Sequence, residues 1–479
     1  MRVHDKIFIG GEWVEPAGTD TFDVHNASTE EVIGRVPAGT EEDVNRAVAA
    51  AREALTGPWA DTTPDQRGDI IAALSAGIMT RLQEFADLIA QETGCPIENA
   101  VGVQVFSSTM VLDYYAKLVR EYPFEERRQG VLGQTLVRRE PVGVVAAVVP
   151  WNVPLFVTVL KLAPALSAGC TVVLKPSPET ALDAYLLAEV AIEAGVPAGV
   201  LNIVVADREV SEKLVVHPDV DKVSFTGSTA AGRRIGALCG ERLRPVTLEL
   251  GGKSACILMP DADLDTAVPG LLPGSLNNNG QACVAQTRIL APRARYDEVV
   301  AKLAEHVGAM SVGDAMEKGN AIGPLVSERQ RDRVLGYIEK GKAEGARVVV
   351  GGGRPEGQDK GWFVEPTVFA DVTNDMTIAQ EEIFGPVLAV IAYDDVEDAV
   401  RIANDSAYGL SGGVWGTDVE AATEVSRRIA TGTVSVNSWV AMDFGAPFGG
   451  YKQSGLGREL GPEGLDALVE FKTVVLPPS

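Results

Sequence analysis

From about residue 140 the chain alternates short β-branched runs with longer stretches of helical periodicity, which limits it to a mostly parallel sheet with helices packed on its faces. Strands are expected at 142–149, 171–174, 201–205, 222–226 and 246–250, with helical patterns at 181–194 and 229–238 between them. A second alternating series follows, with strands at 255–259, 287–290, 348–350, 387–392, 413–415 and 433–436. Helical patterns at 295–310, 328–344, 396–403 and 419–429 separate these strands. The N-terminal third offers short strands at 7–9 and 21–24, amphipathic helical stretches at 41–55 and 64–93, and a further helical run near 103–119; it attaches to the first α/β unit. Two pieces differ from this plan. The polar stretch 121–139 and the β-rich tail 468–476 have no obvious sheet of their own, which points to an oligomerisation element. At about 150 residues per domain, 479 residues make room for about three domains.

The charge balance excludes one class of partner. A formal charge of −24 and a pI near 4.7 disfavour nucleic acid, whose phosphates need clustered Lys and Arg. The longest apolar region, 142–174, is interrupted by Pro150, Asn152, Pro154, Lys161 and Pro164, so no membrane span is expected there. The first residues lack a basic segment, apolar stretch and cleavage site in series, and the expected location is the cytoplasm. Five scattered cysteines, Cys95, Cys170, Cys239, Cys256 and Cys283, argue for reduced thiols rather than a disulfide framework, with at most one of them reactive.

Familiar nucleotide motifs fail. Gly252-Lys253-Ser254 resembles the end of a P-loop, but the glycine required five residues earlier is Thr247. No G-x-G-x-x-G joins a strand to a helix, and the four histidines have no paired metal-ligand spacing. Other segments carry chemistry. Cys283 follows the polar run Asn277-Asn278-Asn279-Gly280-Gln281-Ala282, and a thiol needs an activating site before it reacts as thiolate. Glu249 ends an apolar strand before two glycines, where burial raises a carboxyl toward the range of a general base; a salt-bridged strand-end Glu is the plainer reading. Asn152 sits between Pro150 and Pro154 at a strand end, where its amide could hold an oxyanion or merely form a turn. Phe225-Thr226-Gly227-Ser228 runs from strand to helix start, suiting a pyrophosphate, although Ser228 also reads as an N-cap. Glu382 and Phe384 lie in a turn-bearing segment that suits a ribose contact.

Pro150-Trp151-Asn152, KPSPET from Lys175, FTGS from Phe225, LELGGK from Leu248, GQAC from Gly280, EEIFGPV from Glu381 and PFGGYKQSG from Pro447 together resemble the ordered motif series of the aldehyde dehydrogenase superfamily. The resemblance spans nearly the whole chain. It implies an α/β fold of two Rossmann-like parallel-sheet domains plus a small β-rich oligomerisation element. These would be an NAD(P)-binding domain over 1–120 and 141–250, a catalytic domain over 251–455, and an element over 121–140 and 456–479, in a homodimer or homotetramer. It further implies that Cys283 attacks the aldehyde, that Asn152 and the Cys283 N–H hold the thiohemiacetal oxyanion, that hydride passes to nicotinamide, and that Glu249 activates water to hydrolyse the thioester. Pro150, Trp151, Lys175, Phe225, Gly227, Ser228, Leu250, Glu382 and Phe384 would contact the cofactor, with Lys161 and Glu459 as a possible proton relay.

One departure bears on the cofactor. Many NAD-preferring relatives carry Glu three residues after the motif lysine, whereas this chain has Pro178; NAD is expected and NADP is possible. Val153, Val157 and Leu160, with Trp439 and Met442 from another loop, predict a roomy apolar pocket for medium-sized hydrophobic aldehydes, with broad specificity and no single physiological substrate as the alternative. Two other functions compete. A coenzyme A-acylating relative would resolve the thioester with a thiol, against which Glu249 speaks. A catalytically silent binding or structural homologue is disfavoured by the joint presence of Cys283, Glu249 and Asn152.

Overall fold

The computed structural model describes residues 1–131, 133–440 and 442–477. An eight-stranded sheet runs in the order Gly455–Leu456, Val246–Glu249, Lys222–Thr226, Val144–Val148, Thr171–Lys175, Leu201–Ile203, Ile7–Ile9 and Glu12–Val14. The five strands from Val246–Glu249 to Leu201–Ile203 are parallel, and antiparallel strands close both ends. Successive strands build outward from Val144–Val148 in one direction, then the chain returns to lay Lys222–Thr226 on its other side. Such a reversal leaves a crevice at the carboxyl ends of the strands, where α/β proteins bind ligands.

A seven-stranded sheet forms the second unit, in the order Arg347–Val350, Thr367–Ala370, Val387–Tyr393, Arg288–Pro292, Ala255–Leu258, Gly412–Trp415 and Ser435–Val436. All neighbours are parallel except the first pair. Its strand Thr367–Ala370 is absent from the sequence expectation: four fully buried residues between Pro366 and Asp371 are too few to show a period. The helical stretch expected at 64–93 is two helices, Pro64–Thr80 and Leu82–Thr93, broken at Arg81, whose N–H is shared among the carbonyls of Gly77, Ile78 and Met79. The run near 103–119 is a π-helical turn, Ala100–Phe106, leading into Ser107–Glu121.

The apolar region 142–174 is explained without a membrane. It is strand Val144–Val148, helix Pro154–Ala168, buried at all fifteen of its positions, and strand Thr171–Lys175. Among the described residues no helix is long and apolar enough to cross a membrane. The tail strand Val469–Val475 pairs antiparallel with Gly133–Pro141, which pairs in turn with Glu125–Gly130 to form a separate three-stranded sheet. Of the 456–479 piece only Val469–Val475 lies in that sheet. Gly455–Leu456 joins the first unit's sheet, and Gly461–Asp466 packs on the buried helix Pro154–Ala168. The main-chain hydrogen bond from Gly461 N to Phe444 O ties the start of this helix down.

Candidate active site

The Cys283 loop begins where helix Leu264–Leu276 stops. Asn278, Asn279 and Gly280 then hold φ of 52°, 61° and 72°, three successive left-handed residues. For a side-chain-bearing residue that conformation costs about 1–2 kcal/mol, least for Asn, so other contacts must offset it. Asn279 Nδ2 donates to the carbonyls of Gly94 and Pro324, both at 2.8 Å, and its Oδ1 accepts from Gly323 N at 2.7 Å. Gln281 donates to Thr93 O at 3.2 Å and accepts from Val326 N at 2.9 Å. At Gly280 a Cβ would stand 2.1 Å from Gly385 O, so no other residue fits. The sequence displayed these amides in the Cys283 motif, but their anchoring role was invisible because Gly94, Thr93, Gly323, Pro324 and Val326 lie far away in the chain.

Asn152 follows the strand Val144–Val148 and is 5% exposed. Its Nδ2 donates to Gln281 O at 2.8 Å, and Asn278 Nδ2 donates back to Asn152 O at 2.8 Å. The two loops are therefore clamped together. An amide NH2 carries two N–H groups, so one of Asn152's remains for a further acceptor. Glu249 ends the strand Val246–Glu249 and is 3% exposed, with no hydrogen-bond partner for either oxygen. Burial, reinforced by neighbouring Glu459 and opposed by Lys161 and Arg458, pushes its carboxyl well above the usual range. Burial, with Glu382 and Glu249 nearby, pushes the Cys283 thiol up to about 12, so it rests protonated. Cys283 is nevertheless half-buried while Cys95, Cys170, Cys239 and Cys256 are fully buried, and all five are free.

Two spaces meet at this thiol. One is a cavity walled by hydrocarbon, including Val153, Phe156, Val157, Leu160, Trp439, Met442 and Phe448. The other is a polar groove lined by Pro150, Trp151, Gly227, Ser228, Leu250, Gly251, Glu382 and Phe384. Asn152, Val153, Val157, Thr226, Glu249 and Cys283 line both. The groove has a neighbouring pocket containing Lys175, Phe225, Pro178, Glu179 and Asp207, and Arg329 borders both. The first unit supplies residues at the carboxyl ends of its strands. The second supplies the segments that lead into its strands: Gly251 before Ala255–Leu258, Cys283 before Arg288–Pro292, and Glu382 before Val387–Tyr393.

Close approach explains the two glycines after Glu249. A Cβ at Gly251 would meet Glu382 Oε2 at 2.4 Å, and one at Gly252 would meet Cys283 O at 2.3 Å. Glu382 Oε1 accepts from Gly252 N at 2.9 Å, and burial raises its carboxyl to about 7. Phe384, at φ 64°, sets its ring edge-on to Trp151 with centroids 5.3 Å apart, and its carbonyl accepts from Gln330 Nε2 at 2.7 Å. Ser228 caps the helix Thr229–Glu241, its Oγ accepting from Ala231 N at 3.3 Å, so the hydroxyl is already engaged while the helix start faces the groove. Burial lowers Lys175 to about 8 against the pull of Glu179 and Asp207.

The family model described as "Aldehyde dehydrogenase family" matches residues 13–474. The chain belongs to the aldehyde dehydrogenase family. It is 52% identical over 475 residues to geranial dehydrogenase of Castellaniella defragrans, with 99% of each chain covered. It is 45% identical over 479 residues to 3-succinoylsemialdehyde-pyridine dehydrogenase of a Pseudomonas species, again covering 99% of each. A crystal structure of Mycobacterium tuberculosis aldehyde dehydrogenase complexed with NAD+ superposes with a TM-score of 0.98 at 52% identity and 99% coverage of both chains. The protein is accordingly an aldehyde-oxidising enzyme, an oxidoreductase with the aldehyde dehydrogenase fold.

Two groups in this dehydrogenase's site escaped the sequence reading, Glu179 and Arg329. A carboxylate does stand near Lys175 although Pro178 occupies the expected position. Glu179 follows in the turn Pro178–Thr180, accepts from Ser177 Oγ at 2.5 Å, and pairs with Arg329 of the second unit at 3.1 Å. The carboxylate in this pocket therefore stands one residue beyond the position where Glu is expected. Lys161 and Glu459 form a buried ion pair at 2.6 Å, and Lys161 also donates to Thr226 Oγ1 at 2.7 Å. Both Thr226 and Glu459 border the hydrocarbon-walled cavity. Among the described residues no cluster of three or more His, Cys, Asp or Glu side chains could hold a metal ion.

Proposed function

We propose that this enzyme oxidises medium-sized hydrophobic aldehydes to carboxylic acids with NAD and water through a thioester on Cys283. The observation that carries the reading is the position of Cys283, Asn152 and Glu249 on the shared wall of the hydrocarbon cavity and the polar groove. The groove fits a dinucleotide: it lies at the strand reversal of the first sheet, offers a helix start, and leaves the Glu382 carboxylate one oxygen beyond its bond to Gly252. NAD is the cofactor bound in the M. tuberculosis structure. When bound, it supplies the hydride acceptor. Lys175 and Phe225 would hold its adenosine end, Gly227 and Ser228 its pyrophosphate, and Pro150, Trp151, Leu250, Glu382 and Phe384 the nicotinamide end.

The protein's own residues then divide the work. The Cys283 thiol, only partly buried, gives its proton to solvent as its sulfur bonds the aldehyde carbon, leaving a thiohemiacetal oxyanion. The free N–H of Asn152 and the Cys283 N–H stabilise that oxygen, while the bond from Asn152 to Gln281 O fixes the amide plane. Oxidation leaves the acyl group on sulfur as a thioester. Glu249, whose oxygens are unencumbered, takes a proton from water, and the hydroxide releases the acid and restores the thiol. Lys161 and Glu459, paired next to Glu249, carry that proton away.

Hydrophobic substrates follow from Phe156, Val157, Leu160, Trp439 and Met442, and geranial, the substrate named for the Castellaniella relative, is of that class. In the first unit, residues 1–120 and 141–250 would bind the cofactor, and 251–455 would carry the thiol. The small sheet would pair subunits into a homodimer or homotetramer, since Phe471 and Val475 are 58% and 74% exposed on its edge strand. Five unpaired cysteines fit the reducing cytoplasm. The test is a kinetic screen of aldehydes of graded length and polarity with NAD and NADP, without coenzyme A. Free acid and NADH in equal amounts are expected, fastest for apolar aldehydes. A strict need for added thiol, or a preference for charged semialdehydes, would overturn the reading.

A further inference from the structure

We propose that Gln104 is a specificity residue of the hydrocarbon cavity, its amide binding a hydroxyl carried by the aldehyde at a distance from the reacting carbonyl. This rests on the reading of that cavity as the aldehyde site. Gln104 lies in the π-helical turn Ala100–Phe106 and lines the same cavity as Asn152 and Cys283. It is 1% exposed, yet neither its Nε2 nor its Oε1 has a hydrogen-bond partner. Its backbone is satisfied, the carbonyl accepting from Ser108 Oγ at 2.5 Å, so the side chain alone is unpaired. Cys95, a weak hydrogen-bonding group on the same wall, lies beside the Gln104 amide and donates to Pro96 O at 3.7 Å, so no more than a thiol contact engages that amide.

Buried polar groups are overwhelmingly paired in folded proteins, and one without a partner calls for an occupant. π-Helical turns are uncommon and concentrate at functional sites. Two more acceptors on this wall, Asn277 Oδ1 and Asn278 Oδ1, are also buried and unpaired. The cavity thus has a hydrocarbon body and, on its wall, unpaired amide groups besides that of Asn152, among which Gln104 is the one with both side-chain atoms free. A hydroxyl matches it best, because one oxygen both donates and accepts, as the amide does. The implied substrate is an apolar aldehyde bearing a single hydroxyl.

The test compares kcat/KM of the NAD-loaded enzyme for 3-phenylpropanal and its ortho-, meta- and para-hydroxy forms. Turnover of 3-phenylpropanal itself probes the cavity reading, and the ratio of hydroxylated to parent aldehyde probes Gln104. At least one isomer should exceed the parent by about 10-fold, the scale of one well-placed hydrogen bond. In Gln104→Met the ratio should fall to about 1. Gln104→Glu, nearly equal in size but without the NH2 donors, should lower it several-fold, and it decides the matter if the Met variant does not fold. Ratios taken within one protein are insensitive to general loss of activity. Wild-type enzyme favouring no hydroxylated isomer, or a preference kept intact in both variants, would overturn the proposal. Inertness toward every member of the series would instead bring down the cavity reading on which it rests.

Discussion

The groove and the cavity on either side of Cys283 are built by different rules. The groove takes its shape from backbone. Gly251 and Gly252 let the Glu382 carboxylate and the Cys283 carbonyl come within contact distance, and Gly280 does the same for Gly385. The cavity takes its shape from side chains on segments far apart in the chain: Val103 and Gln104; Val153, Phe156, Val157 and Leu160; and Trp439, Met442 and Phe448. A change of side-chain size can therefore remake the cavity while the sheets stay in place, whereas the groove tolerates little. On the function proposed above, the cofactor would belong to the rigid half and substrate choice to the adjustable one, with Cys283 between them.

Removing the sulfur tests this division most severely. Cys283→Ala should lower turnover by at least about 10⁴-fold, while the NAD dissociation constant, read by fluorescence quenching, stays within about threefold because the groove keeps its backbone. Loss of NAD binding in that variant would mean that the two halves are not separable.

Glu249→Gln comes next, since its unpaired carboxyl serves both spaces. Steady turnover should drop about 10²- to 10⁴-fold, yet one equivalent of NADH per subunit should still appear in the first turnover, and mass spectrometry should find the acyl group on Cys283. Equal loss of burst and steady rate would remove Glu249 from hydrolysis. The same carboxyl carries a pH signature. Its folded pKa lies well above the ordinary 4.5, so the native state favours the protonated acid. The unfolded chain ionises first as pH rises past that value, and stability is lost until the folded carboxyl ionises too. Glutamine has no such loss. The melting temperature of Glu249→Gln relative to wild type should rise between about pH 5 and pH 8; a flat difference would show the carboxyl to be unperturbed. Asn152→Ala should then cost about 10²- to 10³-fold in the acylation step, measured by stopped flow, and a normal burst rate would leave the oxyanion without its side-chain donor.

Legibility in the sequence follows the same boundary. The alternation of strands and helices revealed both α/β units because buried parallel strands read as continuous apolar runs, as at Val144–Val148 and Val387–Tyr393. Thr367–Ala370 was too short to register, and the break at Arg81 leaves no proline or glycine in the sequence to mark it. Motif residues of the groove were legible because they stand in short contiguous segments, such as Pro150-Trp151-Asn152 and Phe225-Thr226-Gly227-Ser228, that carry the family resemblance. Asn279 and Arg329 were not, since an amide or guanidinium acquires meaning only from partners dozens or hundreds of residues away, and Gln104 was not, since burial without a partner is visible only in the fold. The fate of 456–468 was also hidden: nothing local says that Gly455–Leu456 will pair with Val246–Glu249 rather than with the tail.

The smallest effect probes a point where sequence and structure part. Pro178 removes the carboxylate expected beside the adenosine ribose, but Glu179 lines the same pocket as Lys175 and is held from two sides by Ser177 and Arg329. A carboxylate there repels a 2′-phosphate and so favours NAD. Glu179 is about one-third exposed, which screens the repulsion, so a tenfold effect rather than a thousandfold one is expected. Glu179→Gln should lower the NADP dissociation constant about tenfold and change that of NAD much less. The substitution also frees Arg329, which could attract the phosphate on its own account. Combining it with Arg329→Gln separates the two causes. If the gain in NADP affinity persists in the double variant, the lost carboxylate is responsible; if it vanishes, the released guanidinium is, and the displaced carboxylate selects NAD only by keeping Arg329 occupied.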